Sequence, residues 1–263
     1  MQRVTVPLAD GHLVVDAWHW DEPERPAMLL IPSLGRGAAD FADVCALLAA
    51  EGLRCLAMNP RGIADSSPVV EGATLFDYAR DAVSVIDAAS APTAHVVGHA
   101  FGNRIARCVA SRWGQRVDSV VLLAAGGGFP PEEDARLAML KLLGSDSLSE
   151  AEIDACLSNA LFAPGSNPAP WRDGWYRRTA GRQIAAAKAT DTGQWWHGGS
   201  APLLVVQALA DRMALSENGR KLVAERANSE LVEIAAAGHA MLPEVPGEVA
   251  ARIASFVKRN LPP

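Results

Sequence analysis

The stretch from Gly98 to Gly102, Gly-His-Ala-Phe-Gly, follows a short apolar run and precedes a helical pattern. A strand that turns through small residues into a helix lifts its central side chain above the sheet, and the pattern Gly-x-Ser-x-Gly presents a serine nucleophile in this way. The central residue here is Ala100, whose methyl group has no chemistry. The glycines therefore predict a turn built for a nucleophile at a position that lacks one.

Two residues further along the chain are candidates for an acid and a base. Asp211 comes just after the apolar run 202–209, with one alanine between, and His239 lies in a loop after the last predicted strand. A histidine held by a carboxylate can act as a general base, and the order turn, acid, histidine suits the turn at Ala100. Taken singly, Asp211 could be a turn or helix-capping residue and His239 an exposed loop residue. Their shared order favours a joint role in catalysis.

The elements that must position these residues alternate along the chain. Apolar or alternating runs predict strands over 3–8, 12–18, 27–33, 53–59, 94–99, 117–125, 202–209 and 230–236, and helical patterns cover 38–50, 75–89, 101–113, 216–227 and 247–258. The first two strands alternate, which indicates an antiparallel hairpin at a sheet edge. The later strands are continuously apolar, as in parallel strands covered on both faces. This pattern predicts an α/β fold with a mostly parallel sheet of eight strands and helices on both faces.

Residues 128–200 interrupt this alternation. They contain helical patterns near 132–143, 149–162 and 171–189 but no convincing strand, so we predict a helical cap inserted into a core domain of residues 1–127 and 201–263. Four of the seven tryptophans lie in this segment. They are Trp171, Trp175, Trp195 and Trp196. These rings are expected either to attach the cap to the core or to line an apolar substrate pocket.

Five stretches, taken in order, resemble the α/β-hydrolase superfamily over nearly the whole chain. They are LLIPSLGRGAADF, MNPRGIADSS, VVGHAFGNRIA, ALADRMA and AAGHAMLPEVPGEVAARIASFV. Besides the alanine of the turn, the chain differs from the usual family pattern at three places. Pro32-Ser33 stands where the family usually has His-Gly, and Asn59 and Ala64 replace the Asp and the second Gly of its D-x-R-G-x-G-x-S loop.

The resemblance implies a site as well as a fold. It implies that the backbone N–H groups of Leu34 and Phe101 form an oxyanion hole, that His239 is the base and that Asp211 orients it. The substrate would be a small, fairly apolar molecule with an acyl or related carbonyl: an ester, lactone, thioester or activated C–C bond. The residues expected to contact it are Ser33, His99, Trp171, Trp175, Trp195 and Trp196.

Three explanations for Ala100 stay open at the level of sequence. In the first, alanine replaces a serine nucleophile, which leaves an inactivated serine hydrolase with an intact acid and base. In the second, alanine is the native residue, and His239 with Asp211 activates water or removes a substrate proton without a covalent intermediate. In the third, the chain is a non-catalytic binding protein that uses the pocket and cap alone.

Composition excludes several other classes of protein. The formal net charge of −6 is not gathered in blocks, so we expect no nucleic-acid partner and no membrane surface, and no signal-peptide pattern precedes the first strand. We therefore expect a cytoplasmic monomer or homodimer whose partner is a small-molecule substrate. The four cysteines are scattered, the histidines lack metal-ligand spacing, and the glycines at 126–128 lack dinucleotide-binding spacing, so we expect buried free cysteines, no metal and no cofactor.

Overall fold

A computed structural model describes residues 1–261, and a single sheet organises it. The eight strands are β1 (Gln2–Leu8), β2 (Gly11–Trp18), β3 (Ala27–Ile31), β4 (Arg54–Asn59), β5 (Ala94–His99), β6 (Val117–Leu123), β7 (Leu203–Ala208) and β8 (Ser229–Ile234). Their order in the sheet is β1-β2-β4-β3-β5-β6-β7-β8. The β1–β2 and β2–β4 pairs are antiparallel and all other pairs are parallel.

Nine helices accompany the sheet in the described residues. They are α1 (Ala42–Ala50), α2 (Leu75–Ala88), α3 (Phe101–Arg112), α4 (Glu133–Gly144), α5 (Glu150–Ala160), α6 (Arg177–Lys188), α7 (Ser216–Glu225), α8 (Met241–Glu244) and α9 (Pro246–Arg259). The fold class predicted from the sequence, including the edge hairpin, is confirmed. The central strands β4, β5 and β7 are buried at every residue, which explains why they read as unbroken apolar runs.

The hydrophobic core lies on both faces of the sheet. One layer contains apolar residues of α2 and α3, and the other contains those of α1 and α9. Both layers also contain residues of the strands, because successive side chains of a strand point to opposite faces. The four cysteines are free and buried, as predicted. The sheet is thereby fixed from both sides, and the loops at the carboxyl ends of its parallel strands are left to form a site.

The segment between β6 and β7 is helical, but its third helix is shorter than the sequence pattern suggested. The pattern predicts a helix over 171–189, whereas α6 begins at Arg177 and only a short 3-10 turn covers Ala169–Trp171. Gly174 lies between the two with φ 81°, a left-handed conformation that interrupts a right-handed helix. The helices α4 and α5 pack together in a separate hydrophobic cluster that also includes Trp171.

Residues 1–261 contain neither a membrane-spanning helix nor a metal-binding cluster. No helix there has both the length and the apolar character needed to cross a bilayer. No group of three or more His, Cys, Asp and Glu side chains in that range is arranged to hold a metal ion.

Candidate active site

The turn between β5 and α3 is as tight as its glycines predict. Ala100, the one residue between the two elements, has φ 49° and ψ −107°, and its N–H donates to the Leu123 carbonyl of β6 at 2.9 Å. A Cβ atom at Gly98 would come within 2.4 Å of the Gly102 carbonyl oxygen, and one at Gly102 within 2.1 Å of the Ile31 carbonyl oxygen. Only glycine fits at these two positions, so the loop after β3 and the start of α3 can lie against each other.

Asp211 and His239 are brought together although 28 residues separate them. The His239 Nδ1 atom lies 2.9 Å from Asp211 Oδ2 and 3.1 Å from Oδ1. Asp211 Oδ1 also accepts from the N–H groups of Met213 at 2.8 Å and Ala214 at 2.7 Å, which fixes the carboxylate. Because a carboxylate accepts, Nδ1 carries the proton and Nε2 of a neutral imidazole has the free lone pair. The pair therefore has the arrangement of a general base with its orienting acid.

His99 is hydrogen-bonded to the backbone of the His239 loop. Its Nε2–H donates to the His239 carbonyl at 2.9 Å, the two rings have centroids 5.4 Å apart, and its Nδ1 is buried with no partner among the described residues. Complete burial lowers the pKa of His99 from 6.5 to about 3. Electrostatic repulsion from His239 and Arg36 acts in the same direction, and the hydrogen bond to the His239 carbonyl acts against it. His99 is therefore neutral at ordinary pH and holds the backbone of the base.

Leu34 and Phe101 approach the turn from two sides. Leu34 lies in the loop after β3, and its N–H donates to no acceptor in residues 1–261. Phe101 is the first residue of α3, whose opening N–H groups have no acceptor within the helix. The N-terminus of a helix also carries a partial positive charge. Both N–H groups are thus available to a negatively charged oxygen.

A cavity of about 330 Å³ joins these elements. Its wall consists of Ser33, Leu34, Ala100, Phe101, Arg104, Ala124, Gly126, Met139, Trp175, Ile184, Ala187, Lys188, Met213, Ala214 and His239. Most of these side chains are apolar, and no carboxylate is among them. The cavity thus places His239, Ala100 and the two N–H-bearing residues around one volume. Asp211 lies behind His239 and outside the wall.

The side chains expected to contact substrate divide into two groups. Ser33 and Trp175 line the cavity, whereas His99, Trp171, Trp195 and Trp196 do not. Trp171 and Trp175 enclose the buried guanidinium of Arg36, whose carbon lies 4.8 and 4.7 Å from their ring centroids.

Trp195 and Trp196 belong to the core layer of α3 and not to the cluster of α4 and α5. They enclose Arg107, whose guanidinium carbon lies 4.5 and 5.0 Å from their ring centroids. The last tryptophans of the 128–200 segment are therefore fastened to the core.

Three arginines near the cavity have roles that the sequence patterns do not indicate. Arg36 pairs with Asp40 through two hydrogen bonds of 2.9 and 2.6 Å. Arg107 has no carboxylate partner but donates to Asn103 Oδ1 and the Gly126 carbonyl at 2.6 Å, and burial lowers its pKa to about 9. Arg104 lines the cavity itself. Its position one helical turn after Ala100 is the only signal in the sequence that could have found it.

Comparison with known proteins points to the same fold. Residues 26–150 match the family model of the alpha/beta hydrolase fold. A curated protein of Variovorax paradoxus, assigned as the carbamate hydrolase RutD, is 34% identical over 131 residues. The match covers 48% of this chain and 49% of that protein, so the chain spans about half the length of the curated relative it matches.

Solved structures match nearly the whole chain. A hydrolase from Pseudomonas aeruginosa PA01 superposes with a TM-score of 0.82 and 21% identity over 97% of this chain and 98% of that one. The enol-lactonase from Burkholderia xenovorans LB400 superposes with a TM-score of 0.81 and 22% identity over 97% of this chain and 100% of that one. Sheet order, the turn at Ala100 and these matches agree that the chain has the α/β-hydrolase fold.

Proposed function

We propose that this protein is a hydrolase that cleaves an acyl bond of a small molecule, an ester, lactone, thioester or activated C–C bond, with water as the direct nucleophile. The observation that carries the proposal is the state of His239. Its Nδ1 is held by the buried Asp211, and His239 lines the same cavity as Ala100. A histidine in this state can take a proton from water inside the cavity.

The proposed reaction has two steps. His239 Nε2 removes a proton from a water molecule as its oxygen bonds to the acyl carbon, and the carbonyl oxygen becomes an oxyanion that accepts hydrogen bonds from the N–H groups of Leu34 and Phe101. The tetrahedral intermediate then collapses, the bond to the leaving group breaks, and His239 returns its proton to that group. The methyl group of Ala100 takes no part and leaves room for the water.

The names of relatives support the choice of a carbonyl substrate. One matching protein is assigned as a carbamate hydrolase and another is an enol-lactonase, and both names refer to compounds that carry an acyl carbon. We further propose that residues 128–200 serve as the cap of this site. Met139, Trp175, Ile184 and Lys188 of that segment contribute to the cavity wall, which supports this role.

A second candidate, an inactivated serine hydrolase, is favoured by one observation. Ala100 has φ 49°, a left-handed conformation that costs a non-glycine residue energy, on the order of 1–3 kcal/mol. Such strain serves to present a side chain above the sheet, and the methyl group gains nothing from it. In this candidate the chain keeps the acid, the base and the oxyanion hole but has lost turnover.

The proposal is tested with the natural chain and with His239→Gln. The rate of hydrolysis of a short methyl ester is measured from the methanol released, which NMR detects. A general base contributes roughly 10²–10⁴-fold, so the variant should lose activity by that factor. His197→Gln is the matched control, because His197 is exposed and absent from the cavity wall. Equal rates for the natural chain and His239→Gln, or no rate above buffer for the natural chain, would contradict the proposal.

A further inference from the structure

Arg104 differs from the other arginines around the site because no group in residues 1–261 neutralises it or accepts its hydrogen bonds. Arg36 has Asp40, and Arg107 has four oxygen acceptors. Arg104 is half-buried, and its one close aromatic neighbour is Trp195, whose ring centroid lies 5.8 Å from the guanidinium carbon. A guanidinium has five N–H donors, and all of them here are without a protein acceptor.

The surroundings of Arg104 make this lack of partners costly. The cavity wall has no Asp or Glu side chain, and its only other cationic side chain is Lys188 at the end of α6. Burial in this largely apolar wall lowers the pKa of Arg104, because a charged group there loses part of its hydration. The cavity therefore concentrates two positive charges in a protein whose formal net charge is −6.

We propose that Arg104, assisted by Lys188, is a subsite for a carboxylate, so that the substrate is an anionic acyl compound. This inference rests on the proposed function, because it identifies the substrate class of the same cavity. A planar guanidinium forms two parallel hydrogen bonds with a carboxylate, and the ring of Trp195 stabilises the side chain that makes them. The missing acceptors of Arg104 are then supplied by the substrate.

The position of Arg104 also limits the length of the substrate. Arg104 lies in the first turn of α3, roughly 6 Å along the helix axis from Ala100, and helical side chains lean back toward the N-terminus. The carboxylate thus lies one short carbon chain from the acyl carbon at the turn. We infer a dicarboxylic acid monoester, or a lactone with a carboxylate side chain, in which about two to four carbons separate the two groups.

The test uses the His239→Gln chain, in which loss of the proposed base slows turnover so that binding can be measured apart from it. Calorimetry at low salt compares monomethyl succinate, an anion, with dimethyl succinate, which is neutral and of similar shape. The anion should bind at least 10-fold more tightly, and Arg104→Met should weaken its binding by about 10- to 100-fold while leaving the neutral ester unchanged. Arg112→Met is the matched control, because Arg112 lies on the same helix, exposed and outside the cavity wall.

A second variant keeps the test informative if Arg104→Met does not fold. Arg104→Lys keeps the charge and loses the planar pair of donors, so it should retain part of the preference for the anion. Equal binding of the two esters, no binding of either, or a preference that survives Arg104→Met would overturn the proposal. An equal loss in Arg112→Met would also overturn it, because net charge alone would then explain the effect.

Methanol release separates this inference from the proposed function. A preference for the anion that depends on Arg104, without release of methanol, supports the subsite and refutes the hydrolase. Hydrolysis of both esters at equal kcat/KM supports the hydrolase and refutes the subsite.

Discussion

The polar groups at the two ends of the cavity differ in their hydrogen-bond partners. At the His239 end, the imidazole is bonded to Asp211, the carboxylate accepts from two backbone N–H groups, and the His239 carbonyl accepts from His99. At the Arg104 end, neither Arg104 nor Lys188 has a hydrogen-bond partner in the described part of the chain, although both line the same wall. One end is fixed by hydrogen bonds within the protein, and the other has cationic side chains without a protein partner.

This difference separates the chemistry from the recognition of substrate. Groups that are already oriented need no rearrangement when charge develops, which is the requirement for a base and an oxyanion hole. Groups without partners gain interaction energy from the ligand and so determine which ligand binds. Changes at the His239 end should therefore lower kcat, and changes at the Arg104 end should alter KM for anionic substrates.

The largest expected effect follows from Asp211→Asn. The Asn oxygen can still accept from the N–H groups of Met213 and Ala214, but its NH₂ group would face His239 Nδ1. Nδ1 must then accept a hydrogen bond, so the imidazole proton moves to Nε2 and the lone pair of Nε2 is no longer available to take a proton from water. We expect kcat/KM to fall by about 10³–10⁴-fold with little change in KM. Asp191→Asn, at an exposed 3-10 turn, is the control. A loss under 10-fold would mean that the two side chains do not act as a pair.

A smaller effect is expected from His99→Gln, measured as the pH dependence of stability. His99 has a pKa of about 3 in the folded protein and 6.5 in its ordinary state, so between these values the unfolded chain binds more protons and stability falls as the pH falls below 6.5. At pH 5 this loss amounts to about 2 kcal/mol. Urea unfolding at pH 7.5 and at pH 5 gives the free energy of unfolding at each pH. Between these two values it should fall by about 2 kcal/mol more in the natural chain than in the variant. Parallel declines would contradict the prediction.

The smallest effect is expected from Lys188→Gln. The side chain ends α6 at the rim of the cavity and is exposed, so water and salt screen its charge far more than that of Arg104. We expect a two- to fivefold rise in KM for an anionic ester, abolished in about 0.5 M salt. Steady-state kinetics at two ionic strengths measures this, and a loss as large as that of Arg104→Met would reverse the roles assigned to the two cations.

Periodicity alone is enough to predict the sheet. The strands inside the runs at 94–99 and 202–209 are buried at every residue, so their apolar character identifies them as central strands. The position of Asp211 just past a strand end follows from the same pattern. The strand predicted over 117–125 ends instead at Leu123. Ala124 has φ 54° there and turns the chain toward the cavity.

The arginine–tryptophan contacts could not be predicted in the same way. Arg107 meets Trp196 across 89 residues of sequence, and nothing in either local pattern indicates the other. The sequence pattern assigns Trp195 and Trp196 to the cap, yet they pack on α3 and leave Trp175 as the one tryptophan in the cavity wall. The partners of a buried cation depend on tertiary packing, and for that reason the role of Arg104 is not visible in the sequence either.

The central claim is that water attacks the substrate directly and that position 100 supplies no nucleophile. The most direct test is hydrolysis of a short p-nitrophenyl ester by the natural chain and by Ala100→Ser, side by side, with labelling by a serine-directed phosphonate. We predict turnover without a burst in the natural chain and a change of less than about 10-fold in the serine variant, because the added hydroxyl takes the space of the attacking water. A natural chain no faster than buffer, with a gain of about 10³-fold or more and covalent labelling in Ala100→Ser, would contradict the claim and identify an inactivated serine hydrolase.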